Sequence, residues 1–552
     1  MSDDQFVQLG NAFLDDHLGR HPDAATELGD HRFDGHLTDL SSSALASERR
    51  VLDDFAGRLD ALEAGASGAG ALGAEHRVDV AILRNSIERQ IFELDELRGH
   101  TWDPLVANPG RAIYLVLARE FAPLPDRLES AAGRLAEVPD TLAAARDQLG
   151  AMPKVHLETA IGQFAGTIDL VQSEIDTALA AAPQCADMID KVRPAALAAL
   201  AGHRDWLSAQ LAAAEQSGDG GFADPRIGAD RFARKLSLAL NTAADADAIL
   251  ARANADLDRV SAEIAELAAE LGGGVREVLN RLGADAPSDA TILGFCRDAF
   301  AAQIAFVRDH DLVTVYDDPA EVIEMPEIDR GVAVAYCDPP GQLETTPLAT
   351  FLAVSPTPAD WPAERVASFY REYNKHMVHD LMVHEAMPGH YLQLMHASRF
   401  TGSGTPVRAA FWSGSFVEGW AVYAEELMAA HAYPGTGDPR SVRMQQLKMQ
   451  LRMTLNAILD AGVHAHGMTE SEAMALMRDR GFQEEGEAAG KWRRALLTSS
   501  QLSTYYVGYT EVADLARDLR AAQPALSERH LHDAMLSHGS PPARLLRTLL
   551  LR

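Results

Sequence analysis

Cysteine is scarce in this chain, and what there is forms no pattern. Cys185, Cys296 and Cys337 stand far apart with no CxxC among them, which excludes a CxxC zinc clamp or redox centre and leads to the expectation of buried, reduced residues. Aromatic residues make up only 6%, against 47% hydrophobic residues dominated by Ala and Leu, so helix is favoured over strand. Positive charge is short as well: 49 Lys plus Arg face 80 Asp plus Glu, for a formal charge of −31. A phosphate backbone or an anionic bilayer would be repelled, so neither nucleic acid nor membrane is expected as a partner. The basic residues are nearly all arginine, in keeping with a solvated surface. No apolar run of about 18 residues occurs. The opening MSDDQFVQLGNAFLDDHLGRH carries acids where a secretory signal needs a basic start, which leads to the expectation of a cytoplasmic location.

What is present is helical periodicity. From about Asp4 to His310, apolar residues recur every three or four positions, as in LSSSALASERRVLDDFAGRLDALEAG, Glu158 to Ala181 and Thr242 to Leu271. HLTDLSSS and the glycine-rich joints Gly65 to Gly73, Gly218 to Gly221 and Gly272 to Gly274 separate helices, and Asp224-Pro225 precedes another. The character changes at DLVTVYDD (311–318), RGVAVAYC (330–337) and ATFLAVS (349–355), short segments predicted to be strands. After Pro362 the pattern is helical again. The expected organisation is therefore an N-terminal helical region, 1–310, and a region 311–552 with a small sheet just ahead of the most informative motif. At 552 residues the chain is long enough for two to four folding units or one large layered helical architecture. It carries no signal of oligomeric state.

That motif is VHEAMPGHYLQ (383–393). In HExxH, four residues advance about 400° and both histidines share one helical face, with the Glu directed at a metal-bound water. Six residues advance about 600°, which leaves His384 and His390 roughly 120° apart on a regular helix. Pro388 lacks an amide donor and Gly389 tolerates unusual dihedrals, so the segment chelates only if the helix is deformed there. The plain alternative is that PG ends a helix and both histidines make ordinary polar contacts. Twenty-eight residues past His390, FVEGWAVYAEEL supplies Glu418, with Glu425 seven residues on and on nearly the same face. A carboxylate from a following helix completes a two-His, one-Glu zinc set with an open fourth position. An amphipathic helix with a solvated acidic face is the alternative for this stretch, against which Gly419 argues mildly. A competing ligand set, His376, Asp380 and His384, is spaced by four and needs no kink. Asp380 otherwise suits a hydrogen bond that fixes the His384 tautomer.

Together, HEAMPGHYLQ, FVEGWAVYAEEL, LDAGVHAHG, QLSTYYVG and LHDAMLSHGSPPARLL resemble a bacterial family catalogued as a domain of unknown function and grouped with gluzincin-type zinc metallopeptidases. The opening PDAATELGDHRFDGHLTDLS extends that resemblance over essentially the whole chain. It implies a mainly α fold of many helices, similar to the carboxypeptidase Taq, oligopeptidase and angiotensin-converting enzyme families. A small sheet would lie next to the active-site helix, and the N-terminal helices would roof a deep channel. It also implies His384, His390 and Glu418 as ligands of one Zn2+ per chain and Glu385 as general base. The PG insertion departs from the HExxH of the characterised peptidases.

A peptidase of this kind also needs a donor for the developing oxyanion. Tyr505 or Tyr506 in QLSTYYVGYTE suits that role, with Tyr505 at the position that resembles the family's tyrosine; two aromatics packed in a core are the alternative. In LRMTLNAILDAGVHAHG, Arg452, Asp460 and His464 can share one helix side, Arg452 for a substrate carboxylate and His464 as a proton donor oriented by Asp460. A structural ion pair at a helix end is the alternative. His532 has a weaker claim. The expected function is a zinc-dependent hydrolase of short peptides, with one strand of the sheet pairing with the substrate backbone; the other reading is a binding protein that kept the cleft and lost turnover.

Overall fold

The computed structural model describes residues 2–64, 72–217, 220–325, 334–358 and 361–551. The chain is mainly helical with one small three-stranded sheet. The joints at Gly65 to Gly73 and Gly218 to Gly221 and the first residues of 330–337 lie in part outside the described residues. No described helix is long and apolar enough to cross a membrane.

Two compact units are present. One comprises 1–227, 340–348 and 403–410; the other comprises 228–339, 349–402 and 411–552. The helices of 228–310 thus belong with the motif-bearing residues, and the units divide near Ile227, ahead of the change in sequence character at residue 310. In the first unit, the Leu124–Gln148, Lys154–Ala181 and Ala186–Gln216 helices pack through Leu128, Leu135, Phe164, Val171, Ile175 and Leu200. Burial at three- and four-residue spacing makes these helices amphipathic, as their sequence indicates.

The second unit is built around the Pro439–His466 helix, which is buried almost continuously from Met444 to His464. A helix enclosed on all sides shows no single apolar face, which is why this segment reads weakly as amphipathic. In the sheet, strands β1 (Ala320–Glu324), β2 (Ala335–Asp338) and β3 (Thr350–Val354) lie in the order β1-β3-β2. β1 is parallel to β3, and β2 is antiparallel to it. The strand expected at 311–318 is not formed; the strand lies further on, at AEVIE. The reason is local: Leu312 O is bonded by His532 Nδ1, Thr314 O by His396 Nε2, and Thr314 N donates to Asp533. With these backbone groups engaged by side chains, the segment has no ladder to join.

Two helices of this unit, Gly414–Ala430 and Ser503–Ala522, cross in backbone contact. A Cβ added at Gly419 would overlap the backbone of Gly508, and one added at Gly508 would overlap the Ser415 carbonyl. Only glycine at both positions permits the approach. Gly508→Ala would gain about 1 kcal/mol of helix propensity on an isolated helix. Here overpacking outweighs that gain, and we expect a net loss of about 2 kcal/mol, read as a lowered thermal midpoint. A raised midpoint would show that the helices do not touch at this glycine.

Candidate functional site

The Lys375–Glu385 helix begins at Asn374, whose side chain accepts the amides of His376 and Met377. It ends at Glu385, and a new helix starts at His390. Between them the i to i−4 ladder is lost: Met387 N bonds Met382 O at 3.2 Å, Gly389 N bonds Val383 O at 2.9 Å, and Leu392 N bonds Ala386 O at 3.3 Å. The Met387–Pro388 peptide is cis. Gly389 sits so close under the first helix that a Cβ would overlap the carbonyl oxygens of Val383 and His384. Pro388 O, released from helical bonding, accepts the indole N–H of fully buried Trp420 at 2.8 Å.

This break turns His390 back beside His384, with ring centroids 4.7 Å apart and planes at 85°. Glu418, on the glycine-crossed helix, places Oε2 3.3 Å from His384 Nε2 and 3.5 Å from His390 Nε2. Neither contact is aligned as a hydrogen bond, so Glu418 Oε2 is a buried atom without a hydrogen-bond partner. The three donor atoms lie within 4.8 Å of one another and form the one such group among the described residues. Edges of about 3.3 to 3.5 Å are those expected between ligands on a tetrahedral ion with bonds of about 2.0 to 2.1 Å. The donor set and its spacing fit a divalent metal such as zinc.

The surrounding charges favour a cation there. Burial opposes charging the His384 ring, but the adjoining Glu418 and Glu425 carboxylates outweigh it and hold its pKa well above the ordinary value. Burial likewise raises the Glu418 carboxyl, yet the two imidazoles beside it prevail and pull it far below the usual carboxylate range. His384 Nδ1 is engaged by Glu425 Oε1 at 2.7 Å. This corrects the expectation for Asp380: the carboxylate that fixes the His384 ring comes from the neighbouring helix. Asp380 is itself buried, and that burial, with the charge of Glu425 next, raises its carboxyl.

Glu385 is raised by burial and accepts the Cys337 amide of β2 on Oε2 at 3.1 Å, so the sheet edge fixes one oxygen of this carboxylate. Tyr505 is half-buried, and its phenol is raised first by the charge of Glu418 and then by burial. Its oxygen accepts Arg494 Nη2 at 3.2 Å, which leaves its own proton available to a ligand.

Other expected residues lie elsewhere. Tyr506 donates to Asp256 at 2.7 Å and is buried away from the donor triad. Arg452 does not wait for a substrate: it pairs with Glu487, and its Nη1 lies 3.7 Å from Glu372. Buried His464 directs Nε2 at the carbonyls of Ala495 and Thr498, 2.9 and 2.8 Å away, and stacks on Phe232. Asp460 accepts Ser500 N, Ser503 N and Ser503 Oγ, so it holds the first turn of the helix that carries Tyr505 instead of activating His464. His532 is a core histidine between Leu312 O and the Tyr423 hydroxyl. His376 Nε2 lies 4.0 Å from Asp285, and the competing set is not assembled. Trp420, Gly508, Arg494 and the Cys337 amide were not anticipated. A glycine inside the helical pattern YYVGYTE was the available signal for Gly508; main-chain donors such as the Cys337 amide leave none.

A family model described as a bacterial protein of unknown function, DUF885, matches residues 22–550. A solved structure described as "a putative lipoprotein of unknown function from Shewanella oneidensis" is similar, with 28% identity and a TM-score of 0.81 over 99% of this chain and 100% of that one. Another, described as a "putative lipoprotein from Colwellia psychrerythraea", shares the fold at 15% identity and a TM-score of 0.78, covering 99% of this chain and 97% of that one. A search of curated proteins returns no match.

Gly389→Ala tests the kink directly. Helix propensity alone would favour the alanine by about 1 kcal/mol. With the two carbonyls in its way, we expect lower thermal stability and weakened zinc binding together; a more stable protein with unchanged zinc affinity would mean that Gly389 does not bring His390 to His384.

Proposed function

The chain belongs to the DUF885 family of bacterial proteins of unknown function, and from the donor triad within that fold we propose that it is a zinc-dependent hydrolase of short peptides, related to the gluzincin-type metallopeptidases. The observation that carries this reading is the approach of His384 Nε2 and His390 Nε2 to one buried Glu418 oxygen, with Glu385 directly after the first histidine. A zinc ion held by these three groups would supply Lewis acidity, lowering the pKa of a water molecule and polarising the scissile carbonyl. Glu385 takes the proton from the attacking water and returns it to the leaving amine nitrogen as the C–N bond breaks. Tyr505 donates its phenol proton in a hydrogen bond to the carbonyl oxygen as negative charge develops there. Glu425 holds His384 with Nε2 toward Glu418, the orientation in which that nitrogen would be free to ligate a metal.

Purified protein is expected to carry about one zinc per chain. His390→Ala or Glu418→Ala should release it, as measured by metal analysis. Glu385→Gln should keep the metal and fold but reduce turnover of a short-peptide library by about 10²-fold or more. Full zinc in His390→Ala would overturn the ligand set, and unchanged turnover in Glu385→Gln would remove the proposed base.

The carboxylate behind His384 has its own test. Glu425→Gln removes a charge without changing shape, and zinc affinity in chelator competition should fall about 10- to 100-fold. Equal affinity would show that this carboxylate does not tune the site.

A further inference from the structure

Beside Tyr505 lies a cluster in which cations outnumber acids, unusual in a chain whose formal charge is −31. Glu372, 4% exposed, takes Lys448 Nζ at 2.8 Å and faces Arg452 Nη1 at 3.7 Å. Glu487 takes Arg452 Nη2 and lies 3.8 Å from Lys491 Nζ, too far for a hydrogen bond. Arg494, one turn beyond Lys491 on the Glu485–Leu497 helix, is exposed and directs Nη2 to the Tyr505 oxygen. Two carboxylates, Glu372 and Glu487, therefore face four cations: Lys448, Arg452, Lys491 and Arg494. The helix bearing the last two is fixed against the central helix through Trp492, Ala488 and Ala495 packing on Leu459 and Val463, so the cations are held by a rigid element.

Lys491 is the exceptional member. It is 8% exposed, and among the described residues no carboxylate is nearer than Glu487. Burying an ammonium whose nearest carboxylate is out of hydrogen-bond reach is costly, and a carboxylate arriving within reach would offset that cost. Burial, with repulsion from Arg452 next, pushes its pKa down to about 7, whereas an arriving anion would restore the charged form. Arg452, with both carboxylates around it, is already neutralised; Lys491 and Arg494 carry the surplus.

Building on the hydrolase reading, we propose that Lys491 and Arg494 form a carboxylate-binding subsite that selects substrates carrying a negative charge next to the bond presented to Tyr505. A guanidinium and an ammonium offer the charge-assisted donors that a carboxylate accepts. The shared contact of Arg494 with the Tyr505 oxygen places the bound carboxylate next to the group that meets the developing oxyanion. A substrate carboxylate can come from a chain terminus or from an acidic side chain, and the two are separable by experiment.

The test uses full-length, chelator-treated protein, so that binding is read without hydrolysis and without carboxylate binding to zinc. Calorimetric titration compares acetyl-phenylalanyl-alanine, its C-terminal amide, and acetyl-phenylalanyl-glutamic acid α-amide, in which only the side-chain carboxylate is free. A subsite for a terminal carboxylate predicts tighter binding of the first by about ten-fold over the amide, the scale of one charge-assisted hydrogen bond. A subsite for an acidic side chain predicts the same gain for the third. Either gain should vanish in Lys491→Met and in Arg494→Gln, the latter an exposed change that leaves the fold's melting temperature in place. Equal affinity for all three ligands overturns the subsite, as does a preference that survives both substitutions. Failure of the zinc or turnover experiments would leave these affinities untouched, so the two readings fail separately.

Discussion

The hydrogen bond from the Trp420 indole to the Pro388 carbonyl joins the two halves of the donor triad. A helix interrupted by Pro-Gly releases main-chain carbonyls that need partners in a buried environment. Trp420 supplies one, and it stands two residues after Glu418 on the helix that must also deliver the third donor. The bond thus fixes the break that turns His390 inward and sets the register of the helix bearing Glu418. Gly389 closes the break from the other side, since only a residue without Cβ fits beneath the Val383 and His384 carbonyls.

The same helix is held from its other side by an approach that tolerates no side chain. Gly419 meets Gly508, and the backbones of two helices come into contact. One bears Glu418 and Glu425, the other Tyr505. A second element therefore stands at a fixed distance from the triad, and Asp460 secures the first turn of its helix. Buried polar groups that suggest chemistry in sequence, among them Asp460, His464 and His532, serve instead to satisfy main-chain carbonyls and amides around this frame. A buried polar residue must find partners whether or not it takes part in a reaction.

Charge is distributed unevenly across this frame. Around the triad, Glu418, Glu425, Glu385 and Asp380 make an environment that favours a positive ion, and the upward shift of His384 expresses that preference. Beside Tyr505 the sign reverses, with four cations around two carboxylates. Tyr505 stands at the boundary, its oxygen held by Arg494 and its ionisation opposed by Glu418. Under the proposed reading, a substrate contacting both regions would meet a cation-favouring centre at one end and an anion-favouring surface at the other, a polarity suited to orienting it.

By itself the sequence determined the helical character of the chain, the deformable Pro-Gly step, and the second helix with Glu418 and Glu425 on one face. All of these follow from local periodicity and residue chemistry. It also placed β3 correctly, because a short run of β-branched and aromatic residues bounded by turns has few other uses. Residues 311–318 have the same local appearance, yet their backbone groups were taken by His396, His532 and Asp533, more than 80 residues away in the chain. Arg452 and His464 likewise share a helix side as their spacing requires, but spacing does not reveal which carboxylates or carbonyls stand opposite. Tertiary structure alone decided those partners, the pairing of Gly419 with Gly508, and the choice of Glu425 over Asp380 behind His384. Helical periodicity fixes the direction in which a side chain leaves its own element, whereas the group it meets belongs to another element brought there by packing.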